Sequence, residues 1–139
     1  MLCIIAGSAM ADPLPGDHLI IPGVRIGAAE LAPADQGALT RTLGEPDRTD
    51  RNGDHEIYRY GAEGELAIDF DLAADAPFEI STASPLYRTK DGLGVGSNEG
   101  AIRAKLGPPL SEGGETLSYD AIRFSLSHGI VARVSIRAH

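Results

Sequence analysis

Apolar and polar residues alternate with period two over residues 65–71, where Leu66, Ile68 and Phe70 point one way and Ala67, Asp69 and Asp71 the other. Ile57-Tyr58-Arg59-Tyr60 precedes it across Gly61-Ala62-Glu63-Gly64, a hairpin signal, and residues 78–82 read as a further strand. Later in the chain Leu117 and Tyr119 fall out of phase with Ile122, Phe124 and Leu126. A tight turn or bulge is therefore expected near Asp120-Ala121. His128-Gly129 turns the chain into residues 130–137, where Ile130, Ala132, Val134 and Ile136 are expected to share one face. Arg123, Arg133 and Arg137 then fall on the opposite face, as Asp69 and Asp71 do earlier. Near the start, His18-Leu19-Ile20-Ile21 closed by Pro22-Gly23 reads as an edge strand, and residues 24–27 as another short extended piece.

Two helices interrupt this pattern. The first carries Leu39 and Leu43 on one face, with Pro33 suited to its first position, Gly44 to its end and Pro46 to stop it. The second carries Ile102 and Leu106, with Ser97 as the expected cap and Gly107 and Pro108-Pro109 as the stop. Each is about three turns, marginal in isolation, and so must pack on a sheet. Gly37-Ala38-Leu39-Thr40-Arg41-Thr42-Leu43-Gly44-Glu45-Pro46 is echoed by Gly100-Ala101-Ile102-Arg103-Ala104-Lys105-Leu106-Gly107-Pro108-Pro109. Such self-similarity sets the expected architecture. It is an α+β fold of two tandem copies of a short helix followed by an antiparallel β-meander, with the helices packed on one face of the sheet. The copies span residues 22–84 and 85–139, after a lead-in at 12–21.

Composition changes this picture little. At 139 residues, 42% apolar, with no Trp and 5% aromatics, the chain can bury a core of aliphatic side chains. Charge adds more. Residues 22–84 hold 13 acidic and 5 basic side chains, whereas residues 85–139 hold 5 acidic and 7 basic ones. The total of −8 argues against a nucleic-acid partner, which needs a basic face. The uneven distribution points to two surfaces of different sign.

The run Gly96-Ser97-Asn98-Glu99-Gly100-Ala101-Ile102-Arg103-Ala104-Lys105-Leu106-Gly107-Pro108-Pro109-Leu110, followed by a stranded pattern, resembles the outer-membrane assembly lipoprotein BamE (SmpA/OmlA) family. The tandem arrangement also resembles the β-lactamase inhibitor protein. The chain departs from the first family in three ways. It has no lipobox cysteine, one clear helix per copy instead of two, and Ala34-Asp35 where a glycine-small pair belongs. The resemblance implies a non-enzymatic envelope protein that acts by contact with another envelope protein.

Residues 1–11 add a compartment. Leu2 to Ala11 is uncharged and mostly apolar, and Ala9-Met10-Ala11 fits a signal-peptidase site, although the basic n-region is missing. A truncated signal peptide is one reading and a buried strand around Cys3-Ile4-Ile5 the other; the first makes the mature chain periplasmic. The stretch is too short to span a membrane. Cys3 is the single cysteine, so no disulfide is expected.

Candidate chemistry is sparse. Gly92-Leu93-Gly94-Val95-Gly96 lacks the third glycine of a dinucleotide loop and any following Lys-Ser/Thr. Residues 50–56 would place arginines at the first and last calcium ligands, so Asn52-Gly53 reads as a turn. His18, His55, His128 and His139 have no metal-ligand spacing, and no nucleophile elbow occurs. No cofactor, metal or catalytic residue is assigned. The remaining candidates for binding are Arg123, Arg133, Arg137, Asp69 and Asp71, with Tyr58, Tyr60 and Tyr119 as amphipathic anchors. An exported protein-interaction or inhibitor-like module is expected. A small-ligand or lipid-binding protein is the first alternative, and a hydrolase with an unrecognised site the second.

Overall fold

Eight segments with alternating or β-rich sequence meet in one antiparallel sheet, in the computed structural model that describes residues 14, 16–32, 35–61 and 65–137. The leader and Cys3, Pro33, the 62–64 part of the hairpin signal and His139 lie outside those residues. In chain order the described elements begin with β1 (Ile20–Ile21), β2 (Arg25–Ile26) and β3 (Ala29–Glu30), which form a small sheet of their own. Helix α1 (Gln36–Leu43) leads to β4 (Arg48–Asn52), β5 (His55–Tyr60), β6 (Leu66–Asp71) and β7 (Ala76–Thr82). Helix α2 (Glu99–Leu106) leads to β8 (Ser111–Gly113), β9 (Thr116–Tyr119), β10 (Ile122–Ser127) and β11 (Ile130–Ile136).

The order across the large sheet is β4-β5-β6-β7-β11-β10-β9-β8. This corrects the expected α+β fold of two tandem helix-then-meander copies. The described residues are mostly β, with two eight-residue helices and a sheet that runs unbroken from β4 to β8. The join is the β7–β11 pair, with Thr82 opposite Val134, Ser81 opposite Ser135 and Ile80 opposite Ile136. A strand's partner so far away in sequence leaves no local trace in its own residues, whereas a hairpin does.

One face of the sheet is covered. Leu66, Ile68, Phe70, Ile80, Phe124, Val134 and Ile136 pack with Leu39 and Leu43 of α1, Ile102 of α2 and Ile20 and Ile26 of the small sheet. The expected face of residues 130–136 shifts by one at its start. Val131 is buried while Ile130 and Ala132 are exposed. The register between Ser125 and Leu126 explains this, since Arg133 pairs with Ser125 but Val131 with Leu126, leaving Ala132 as an extra residue.

The helix ends are chemically specific. Asp35 caps α1, its carboxylate accepting from the Ala38 N–H at 2.7 Å. Asn98, not Ser97, caps α2, accepting from the Ala101 N–H at 2.8 Å. Ser97 Oγ instead accepts from the Gly94 N–H at 3.1 Å. That contact belongs to the 83–98 connection, which Arg88 braces by donating to the carbonyls of Gly92 (2.8 Å) and Val95 (3.1 Å). Gly94 is required there, because a Cβ would stand 2.5 Å from the Tyr87 carbonyl oxygen.

Candidate functional site

The uncovered face of the large sheet carries the candidate site. Arg123, Ser135, Ser81, Ala67 and Arg59 stand directly opposite one another across β10, β11, β7, β6 and β5. Small side chains at the middle and long ones at the flanks leave a trough. Two open hollows of about 160 and 250 Å³ occupy it, and Glu79 and Ser135 line both. Ser81 and Ser135 are only 9% and 6% exposed at its floor.

Most charges on this face are matched. Arg59 Nε donates to Asp50 Oδ2 at 2.6 Å, and that bond holds the Asp50 carboxyl below its ordinary value. His55 Nδ1 lies 2.6 Å from Asp69 Oδ1. The hydrogen bond to Asp69 raises His55 above the usual imidazole value, against the opposing effect of partial burial. Glu79 receives Arg137 Nε at 3.2 Å and Arg123 Nη2 at 3.8 Å. Arg133 differs: its Nη1 donates to Ser81 Oγ at 3.0 Å, and no carboxylate of the described residues lies within 4.0 Å of it.

A bulge adds an aromatic group to this face. Between Asp69 and Phe70 the β6–β7 register shifts, so Glu79 opposes Asp69 and Pro77 opposes Phe70. Phe78 is the extra residue, and it stays 40% exposed. The Arg137 guanidinium lies 4.7 Å from its ring centre, and the His55 ring meets it edge-on at 5.2 Å.

Among the residues singled out in the sequence, the structure brings together Arg123, Arg133, Arg137 and Asp69. Asp71 is diverted, its Oδ1 accepting from the Ala73 and Ala74 N–H groups in the β6–β7 turn. The arginines reach Glu79 and Ser81, not the two aspartates.

The tyrosines are held by the helix ends and core rings, although Tyr119 also lines the smaller hollow. Tyr60 is 2% exposed and its hydroxyl donates to the Gly44 carbonyl at 2.9 Å; burial pushes its phenol up to about 12. Tyr119 donates to the Gly107 carbonyl at 2.8 Å and packs on Phe124. The Tyr58 ring meets that of Phe70 at 5.4 Å, tilted by 60°. All three tie helix ends or core rings to the sheet, with Tyr60 buried and Tyr58 and Tyr119 partly exposed. Phe78, Glu79, Ser81 and Ser135 escape sequence reasoning because their role depends on a bulge and on the distant β7–β11 pairing. Alternation around Phe78 alone misplaces it.

Among the described residues no cluster of three metal-ligating side chains occurs. No described helix is long and apolar enough to cross a membrane. What the trough can do is recognise a group. It offers a guanidinium fork, a hydroxyl and an exposed ring on a rigid sheet.

No protein-family model matches the chain, and no curated protein does. Three solved structures share its fold. A DUF4309 family protein from Bacillus subtilis aligns with a TM-score of 0.56 and 13% identity, over 84% of this chain and 88% of its own. A cysteine-rich secretory protein from Staphylococcus aureus aligns at 0.58 and 12%, over 91% of this chain and 51% of its own. An extracellular protein containing an SCP domain from Bacillus anthracis aligns at 0.50 and 13%, over 76% and 43%. The chain thus spans about half the length of the last two. These likenesses overturn the resemblance to BamE and to the β-lactamase inhibitor protein, and at this level of identity they establish the shared fold.

Proposed function

We propose that this chain is an exported, non-enzymatic protein-interaction or inhibitor-like module that binds through the open face of its large sheet. The observation that carries this reading is Arg133, a half-buried guanidinium with no carboxylate partner among the described residues, on the face where Arg137 lies over the exposed Phe78. Export is supported by the fold shared with extracellular and secretory proteins and by the leader-like residues 1–11. Residence in the periplasm follows from the same leader reading, and an envelope protein is the partner proposed there. Cross-linking in envelope extracts tests the proposal. Native protein captures a partner that an Arg123/Arg133/Arg137→Glu variant does not; equal capture by both assigns binding to another surface.

A second reading rests on a different observation. A cavity of about 410 Å³ opens between β1 and α2, lined by Leu19, Ile21, Pro22, Leu106 and Ile122 with Lys90 at its rim. Its apolar walls suit a small hydrophobic ligand. Native mass spectrometry after gentle purification shows added mass if this reading holds and the bare chain if it does not.

A further inference from the structure

We infer that the trough over Ser81 and Ser135 takes one acidic side chain of a partner protein, its carboxylate seated on the Arg133 guanidinium. This deepens the interaction reading above and rests on it. Around the larger hollow each of the other charged groups has an ionic partner, Glu79 taking two arginines. Arg59 is engaged by Asp50, Asp69 by His55, and Glu79 by Arg123 and Arg137. Arg133 has none: no carboxylate of the described residues lies within 4.0 Å of it, although Asp69 and Glu79 line the same hollow. In a protein whose total charge is −8, a cation in the middle of the large sheet thus stands without an ion pair.

Arg133 is also oriented. Its Nη1 is held by Ser81 Oγ at 3.0 Å, which leaves its other N–H groups to form a fork. A planar fork of this kind matches a carboxylate in bidentate fashion, which a lysine cannot do. Beside it stands the nearly buried Ser135, which lines both hollows. Its hydroxyl, able to donate and accept, lines the space that an oxygen arriving in the trough would enter. The hollow of about 250 Å³ is large enough for a Glu or Asp side chain and too small for a folded element. The occupant is therefore a side chain projecting from a loop or strand laid across the sheet. Phe78, exposed beside Arg137 and His55, gives that segment an apolar surface on which to lie.

The test uses the full chain and two blocked peptides, acetyl-Gly-Glu-Gly-amide and acetyl-Gly-Gln-Gly-amide, followed by NMR of the arginine Nε–H groups and the Ser81 and Ser135 amides. The Glu peptide gives saturable shifts at Arg133, Ser81 and Ser135, and the Gln peptide does not. Arg133→Gln weakens Glu-peptide binding about tenfold or more, and Arg133→Lys loses most of it because the fork is gone. Ser135→Ala weakens it a few-fold. Arg51→Gln, at the exposed edge strand, leaves it unchanged. Equal shifts at Arg51 and Arg133, or equal binding of the Gln peptide, overturn the inference. So does acetate binding as tightly as the Glu peptide, since the site then takes a free small carboxylate. A captured partner that depends on the three arginines together but ignores Arg133→Gln overturns the inference and spares the interaction reading. Glu-peptide binding at Arg133 with no captured partner does the reverse.

Discussion

The two faces of the eight-stranded sheet share one backbone and solve opposite problems. The inner face is apolar and covered: Ile68, Phe70, Ile80, Phe124, Val134 and Ile136 are fully buried against α1, α2 and the small sheet. The outer face is paved with serines and ion pairs, and its long side chains are half exposed. On the inner face stability comes from apolar area and close packing, which are local and non-directional. On the outer face exposed ion pairs contribute little to stability, so their arrangement is free to serve recognition. The contrast teaches that stability and recognition can be sought on opposite faces of one sheet.

Substitutions can break or sharpen that contrast. The largest effect is expected at the inner face, where Phe124→Ala should cost about 3–5 kcal/mol in denaturant unfolding. A loss under about 1 kcal/mol would mean that the inner face is not the core. Next comes the connection that braces α2, where Gly94→Ala should cost about 1–3 kcal/mol by forcing a Cβ against the Tyr87 carbonyl. Tyr60→Phe removes one buried hydrogen bond to the end of α1 and should cost about 1 kcal/mol, again read from the unfolding midpoint.

The outer face should respond differently. Arg133→Gln should leave stability within about 0.5 kcal/mol of the parent while abolishing partner capture. A large stability loss would move Arg133 from recognition to scaffolding. Smallest of all is the pH effect of the His55–Asp69 pair. The bond to Asp69 raises His55 in the folded state, so its contribution is complete below the unfolded value, about 6.5, and fades as pH climbs through the raised folded value. Thermal melts across the neutral range should show this shallow decline in the parent, and His55→Gln should flatten it.

Much of the inner face is legible in the amino-acid sequence. Leu66, Ile68 and Phe70 are buried as their alternation requires, because burial of one face imposes period two on the residues themselves. The stops at Gly44 and Gly107 are equally readable, each ending its helix at positive φ. Other features are not. The phase of β11 slips at Ala132, where the apolar alternation from Ile130 to Ile136 continues unbroken and so hides the bulge. The β7–β11 join brings together residues such as Ser81 and Arg133, 52 positions apart, so two meanders resemble two copies when they are one sheet. Amphipathic character assigns the tyrosines to a binding surface, but the hydroxyls of Tyr60 and Tyr119 find backbone carbonyls at the helix ends. For the arginines the alternation gives the right face and the wrong partners, since Glu79 draws two of them.

The β7–β11 join also has a temporal consequence. During synthesis β11 emerges after every other described strand, yet it occupies the middle of the sheet. Until it arrives, β7 and β10 both expose unpaired backbone along edges that are central in the finished sheet, and such edges invite pairing between chains. Closing them needs a contact of long sequence separation, which is slow to form. A chain cut short before Ile130 would therefore be an aggregation hazard more than a partly working protein. Shielding of that interval by a chaperone would be as much a requirement of this architecture as any side chain in its core.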